Sequence, residues 1–205
     1  WPLAASWMFM AVEMPLVSAV LARLAEPEVQ LAAFGGLVFP LMLLIESPVI
    51  MLLAASTALS RDWPSYVSLR RYMTWMSVAL TGLHVAIAVT PLYDWVTTSV
   101  IRAPVEIVGP ARIGILVSIP WTWAIAYRRF NQGLLCRHGA SRAVGVGTLV
   151  RLTSTSSVLA VGFWAAPHLD LPGVAVGTSG VMVGVLAEAA YVRVRSRPVI
   201  EDFLD

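Results

Sequence analysis

The 205-residue sequence contains no lysine, one cysteine (Cys136) and three histidines, and its charged residues amount to only 13% of the chain. Soluble domains carry about 25% charged and about 45–50% apolar residues. Here 58% of residues are hydrophobic and mean hydropathy is +0.77. A water-soluble globular domain, a disordered chain and a single-anchor enzyme with a large soluble domain are thereby excluded. One cysteine excludes a disulfide scaffold. The lack of lysine excludes a Gly-rich phosphate loop closed by Lys. His84, His138, His168 and Cys136 lack metal-ligand spacing, so no metal site and no cofactor are expected. The net charge of +2 does not point to nucleic acid.

What the chain has instead is apolar length. Six stretches occupy most of it, at about 2–24, 31–59, 73–91, 105–127, 143–167 and 171–192. Each suffices for a hydrocarbon core that takes about 20 helical residues. None shows the alternation over about 10 residues that marks a strand of an outer-membrane barrel. In lipid every backbone group must be paired within its own segment. An all-α polytopic membrane protein with six transmembrane helices over residues 1–197 is therefore expected, followed by a short acidic tail, 198–205, leading elsewhere. The sequence opens at Trp1 with no charged region and no small-residue cleavage site, so the first stretch reads as a span rather than a signal peptide, with an earlier segment missing or trimmed.

Arginine sets the expected orientation. Arg61, Arg70 and Arg71 follow the second stretch, and Arg128, Arg129, Arg137 and Arg142 follow the fourth. Arg193, Arg195 and Arg197 follow the sixth. Ten of the 14 basic residues thus fall on one side, and the positive-inside rule places both termini in the cytoplasm. Basic charge carried only by Arg, with abundant Ala and Val, fits a GC-rich bacterial genome and hence the inner membrane.

Ionisable groups within a span cost several kcal/mol unless they face the bundle interior. Glu13, Glu46, His84 and Arg112 are expected to share a mid-to-outer cavity as ion- or substrate-binding candidates. The two glutamates read equally as protonated carboxylates bonded to helix backbone or as proton- or cation-binding groups; His84 reads more readily as a packed, hydrogen-bonded core histidine. Arg151 and Glu188, at similar depth on consecutive antiparallel helices, are expected to form a structural ion pair. Pro15 follows Glu13 and Pro48 follows Glu46, while Pro40, Pro110 and Pro120 add further interruptions. A proline frees the carbonyl four residues earlier, and ionisable groups beside such breaks are a feature of carrier helices. Gly173, Gly177, Gly180 and Gly184 space the sixth stretch for close helix packing. Gly177-Thr178-Ser179-Gly180 matches the short serine motif of rhomboid-type intramembrane proteases, but no histidine follows Ser179 to act as its base. That enzyme reading is set aside.

The opening Trp1-Pro2-Leu3, Pro15 and the run Leu31-Ala32-Ala33-Phe34-Gly35 resemble the first helix pair of a multidrug and toxic compound extrusion (MATE) lobe. Pro110-Ala111-Arg112, Tyr127-Arg128-Arg129-Phe130, Leu149-Val150-Arg151, Leu171-Pro172-Gly173 and Leu186-Ala187-Glu188 come in an order similar to the end of a lobe in the progressive ankylosis branch of that exporter superfamily. The resemblance implies a six-helix lobe of a secondary carrier or flippase that alternates access against a second lobe. That lobe would lie either in the same longer chain or in a homodimer. It implies export of a small organic or anionic solute, with Arg112, Arg151 and Glu188 at family-like positions and the lipid bilayer as the remaining partner. In such a carrier Glu13 and Glu46, as charges within spans, are expected to bind H+ or Na+ and Arg112 to attract anionic substrate groups. The competing expectation is a non-transporting membrane scaffold whose buried charges are structural.

Overall fold

The computed structural model describes residues 2–203, with side chains from Met8 onward. Among the described residues every regular element is helical. The chain runs α1 (Pro2–Leu21), α2 (Pro27–Ala33), a wide π-turn (Phe34–Val38), α3 (Phe39–Ile50), α4 (Leu52–Leu59) and α5 (Trp63–Val89). A single turn α6 (Leu92–Asp94) and a second π-turn (Trp95–Val100) precede α7 (Val105–Val117) and α8 (Trp121–Arg137). The long helices α9 (Ser141–Leu169) and α10 (Gly173–Glu201) complete the bundle.

The elements from α2 to α4 form one continuous helical segment, Pro27–Leu59, long and apolar enough to cross a membrane, and it is interrupted beside its prolines. Pro40 lacks an N–H and its ring crowds the carbonyl of Gly36. The chain answers with the wide turn just before it, in which the Phe39 amide donates to the carbonyl of Phe34, five residues back. Pro48 likewise leaves the carbonyl of Leu44 without its amide. The Ser47 hydroxyl donates to that carbonyl at 2.9 Å, so the break leaves no bare oxygen there.

Four helical segments are long and apolar enough to cross a membrane: Pro27–Leu59, Trp63–Val89, Ser141–Leu169 and Gly173–Glu201. The pair α7 and α8, bent by 46°, makes a fifth if taken as one span. The first of the six expected stretches contributes a shorter apolar helix over Met8–Leu21, and Trp1 lies outside the described residues. Burial supports a lipid setting. Leu44, Trp75 and Trp164 are 70, 67 and 73% exposed, while Glu13, Glu46, Arg128, Arg151 and Glu188 are all at or below 6%. Apolar groups outward and charges inward is the arrangement a hydrocarbon solvent selects.

Several expected boundaries move. The third stretch starts not at Met73 but at Trp63, because Asp62 caps the helix by accepting from the Ser65 amide at 2.9 Å and Pro64 occupies the first turn. Arg70 and Arg71 consequently lie on α5, not in a loop. The fourth stretch divides at Ser118–Pro120 and then continues ten residues past its expected end at Tyr127. Arg128 and Arg129 are therefore helical residues within the bundle; Arg128 is 2% exposed. They do not belong to a solvated loop, and the arginine asymmetry rests on the others. Finally, α10 absorbs Arg193, Arg195, Arg197 and the first part of the expected tail. Phe203 then turns back to lie 5.9 Å from the Tyr66 ring and 5.3 Å from His138. Leu204 and Asp205 lie outside the described residues.

Two close approaches hold together the helices that carry the buried charges. α8 meets α4 through Gly133, where an added Cβ would lie 2.6 Å from Ser56 Cβ. The Ser56 hydroxyl donates to the Phe130 carbonyl at 2.8 Å across this contact. α10 meets α1 and α9 through its glycines: a Cβ at Gly177 would lie 2.7 Å from Leu21, and one at Gly180 2.9 Å from Leu159. Such contacts let backbones approach where no hydrophobic force drives helices together.

Candidate functional site: a buried charge network and its cavity

The glycine seam between α9 and α10 determines which charges meet. Gly184 sits one turn before Glu188, and a Cβ there would collide with the Thr155 hydroxyl and stand 3.0 Å from the Arg151 carbonyl. With no side chain in the way, Glu188 on α10 and Arg151 on α9 reach the same level. α1 packs against both helices and delivers Glu13 to that level as well.

Glu13 accepts from Arg151 through both carboxylate oxygens. Arg151 Nε donates to Oε1 at 2.9 Å and Nη2 donates to Oε2. The Thr155 hydroxyl, one turn along α9, donates to Oε1 at 2.9 Å. Glu188 accepts from Arg128 Nη1 at 2.5 Å on one oxygen and from Gln132 Nε2 at 2.8 Å on the other. Arg151 Nη1 stands 4.0 Å from Glu188, bridging the two carboxylates. The result is a run of alternating charge, Glu13–Arg151–Glu188–Arg128, drawn from α1, α9, α10 and α8. Two negative and two positive groups balance. Desolvating each ion costs several kcal/mol, and forked, multiply bonded geometry is the condition under which pairing offsets that cost.

The expected pair of Arg151 and Glu188 is thus present only at its outer limit of distance, and each member has a closer partner. The expected grouping of Glu13, Glu46, His84 and Arg112 does not form: each bonds to a different set of groups. Glu46 on α3 is 5% exposed, and its bonded partner is the Trp121 indole N–H on α8. No arginine nitrogen lies within 4 Å of it among the described residues. His84 on α5 is fully buried, and its Nε2 lies 3.0 Å from the Ile115 carbonyl of α7 and 3.4 Å from the Ser118 hydroxyl. It ties α5 to α7 just before the bend. Arg112 faces the opposite end of the bundle, 3.6 Å from the half-exposed Asp94, over the Tyr93 ring at 5.3 Å.

One helical turn from the charge network, toward the end of the bundle that carries Arg61 and Arg137, lies a cavity of about 300 Å³. Helical spacing explains its walls. Met10 precedes Glu13 by three residues, Thr148 precedes Arg151 by three, and Gln132 follows Arg128 by four, so each lies one turn from a member of the network on the same face. Ile50, Met51, Leu53 and Ala54 supply the opposite side from α3 and α4, and Val144 adds to the α9 side. Its charged lining residues are Arg128 and Arg129; no carboxylate lines it. Arg128 spends its charge on Glu188. Arg129 has no carboxylate within 4 Å among the described residues, and its Nε has no hydrogen-bond partner. Among the described residues no three His, Cys, Asp or Glu side chains converge as metal ligands.

Arg128, Arg129 and Gln132 escape a hydropathy reading because polar residues lower the average where α8 continues, and Trp121 and Thr155 because they are uncharged residues inside apolar stretches. A usable signal was there. Tyr127, Phe130 and Leu134 extend an apolar face at helical spacing, and nothing breaks the helix until Gly139, whose φ of +73° ends it.

Comparison of the chain with protein-family models, with curated proteins and with solved structures returns no match.

Proposed function

We propose that this chain is one six-helix lobe of a MATE-like secondary carrier or flippase of a bacterial inner membrane, with both termini cytoplasmic and α1 and the bent α7–α8 pair counted among its spans. It exports a small organic or anionic solute by alternating access against a second lobe, supplied by a longer chain or a second copy. The observation that carries this reading is the cavity bearing Arg128 and Arg129 directly beside a balanced, buried charge network. A bundle needs no such cavity for stability, whereas a carrier needs a polar site within its apolar thickness.

The geometry redistributes the roles within that reading. Glu13 is held on both oxygens by Arg151 and serves to join α1 to α9. Glu46 has only an indole N–H to lose or keep, so among the carboxylates it is the one free to exchange H+ or Na+ without breaking an ion pair. Arg128 and Arg129, not Arg112, face the space where a solute fits.

The test is solute flux in proteoliposomes across a pH series. Glu46→Gln should flatten the pH dependence of flux, while wild-type protein keeps it; an unchanged profile removes Glu46 from the coupling step. The competing reading, a scaffold subunit, draws on the fact that Glu13, Arg151, Glu188 and Arg128 are paired with one another as purely structural charges would be. A scaffold moves no solute under any gradient, and a lobe that stays monomeric in mild detergent has nothing to alternate against.

A further inference from the structure

The cavity between α1, α3, α4, α8 and α9 combines three properties that together specify a ligand. Its charge is one-sided and small. Arg128 is paired with Glu188 at 2.5 Å, whereas Arg129, the other charged lining residue, has no carboxylate within 4 Å among the described residues. Its opposite wall is aliphatic, formed by Met10, Ile50, Met51 and Leu53. It opens outward past Met51, which is 68% exposed on a bundle whose outer surface is apolar. A volume of about 300 Å³ is at the lower limit of ligand pockets and holds one small group, not a bulky drug.

A half-buried guanidinium whose Nε has no hydrogen-bond partner, set against an apolar wall, is stabilised when an anion meets it. The one-sided charge calls for an anionic head, and the aliphatic wall and outward opening call for an apolar part continuous with it. We propose that this cavity binds an amphipathic phosphate ester, its phosphate on Arg129 and its alkyl portion along Met10, Ile50 and Met51. The proposal deepens the carrier reading by assigning a ligand class to the cavity. It is read out by binding alone, so it stands or falls whether or not flux is observed.

The ligand chemistry has two sources, a membrane phospholipid headgroup and a water-soluble alkyl phosphate. The purified protein in neutral detergent is titrated with hexyl phosphate and with inorganic phosphate by calorimetry. In parallel, native mass spectrometry scores retention of phosphatidylglycerol against phosphatidylcholine after extraction from nanodiscs containing both. Hexyl phosphate should bind about tenfold or more tightly than inorganic phosphate. Arg129→Gln should weaken it by about tenfold or more, as loss of a charge-assisted contact does, and Arg129→Lys should restore part of the affinity. Ala54→Leu, which fills the cavity mouth without touching a charge, should weaken hexyl phosphate similarly. It also serves as the test if Arg129→Gln fails to fold. Retention of phosphatidylglycerol that disappears in these variants assigns the lipid source. Binding of hexyl phosphate without lipid retention assigns the soluble one. Affinity unchanged by Arg129→Gln or by Ala54→Leu, or inorganic phosphate binding as tightly as hexyl phosphate, overturns the proposal.

Discussion

Among the described residues, arginine and carboxylate meet in two places in this bundle, with opposite consequences. At the junction of α1, α8, α9 and α10, Arg151 and Arg128 meet Glu13 and Glu188 with side-chain exposures of 7% or less. At the far end of α7, Arg112 and Asp94 meet at 3.6 Å with exposures of 37 and 55%. The first site is forked, shared among four helices and shut away from solvent. The second is one ion pair at a partly exposed rim, where Arg112 also lies over the Tyr93 ring and donates from Nε to the Ala88 carbonyl at 3.4 Å. Both sites set an arginine against a carboxylate, glutamate in the first and aspartate in the second, and they differ in how closely the helices that carry them approach. Glycines open α10 to its neighbours at the first site; around Gly109, in α7 near Arg112, nothing stands within 4 Å of where a Cβ would be.

The largest expected effect separates the two sites by removing one arginine from each. Arg151→Met strands Glu13 without its cation and should destabilise the fold by about 3–5 kcal/mol. Arg112→Met removes a rim pair and should cost no more than about 1 kcal/mol. Thermal unfolding of both variants in one detergent measures the contrast, and equal shifts would erase it. A smaller effect probes helix approach directly. Gly184→Ala pushes on the Thr155 hydroxyl and the Arg151 carbonyl and should cost about 1–3 kcal/mol. Gly109→Ala meets open space and should be neutral or stabilising, by up to about 1 kcal/mol, since alanine favours helix over glycine. A destabilised Gly109→Ala would show that the α7 side packs more closely than these contacts indicate.

The smallest effect belongs to Asp62, outside the membrane-spanning segments. Hydrogen bonds from the Ser65 side chain and amide hold its carboxyl below the usual carboxylate range. The folded state therefore binds a proton less readily there than the unfolded chain does. The cap's contribution is present above the unfolded pKa and is lost as pH falls through the lower folded value. Asp62→Asn should remove this acid-side dependence of α5 stability and leave stability at neutral pH nearly unchanged, as an unfolding series from acid to neutral pH would show.

Much of the architecture was legible in the sequence. The apolar runs announce helices in lipid, the prolines mark where Pro27–Leu59 and the α7–α8 pair are interrupted, and the spaced glycines of α10 announce a close-packed seam. The candidate site was legible only in part. Glu13, Glu46, Arg151 and Glu188 stand out as charges within apolar runs, but their partners cannot be read from depth alone. Arg151 and Glu188 sit at one level, yet rotation about the helix axes turns Arg151 mainly to Glu13 and Glu188 mainly to Arg128. His84 and Arg112 part company because one points into the α5–α7 contact and the other toward Asp94.

The sequence by itself determined the solvent and the elements. Scarce charge and long apolar runs leave few ways to satisfy a backbone in hydrocarbon, and helix is the one this chain's residues support. Only the tertiary structure decided which charges balance and which remains over. Arg128 and Arg129 are neighbours in sequence, but successive side chains on a helix point about 100° apart. Arg128 therefore reaches Glu188, while Arg129 faces the cavity with no carboxylate within 4 Å among the described residues. Pair assignment depends on azimuth and on sub-turn helix approach, which are properties of the packed bundle and not of any one helix.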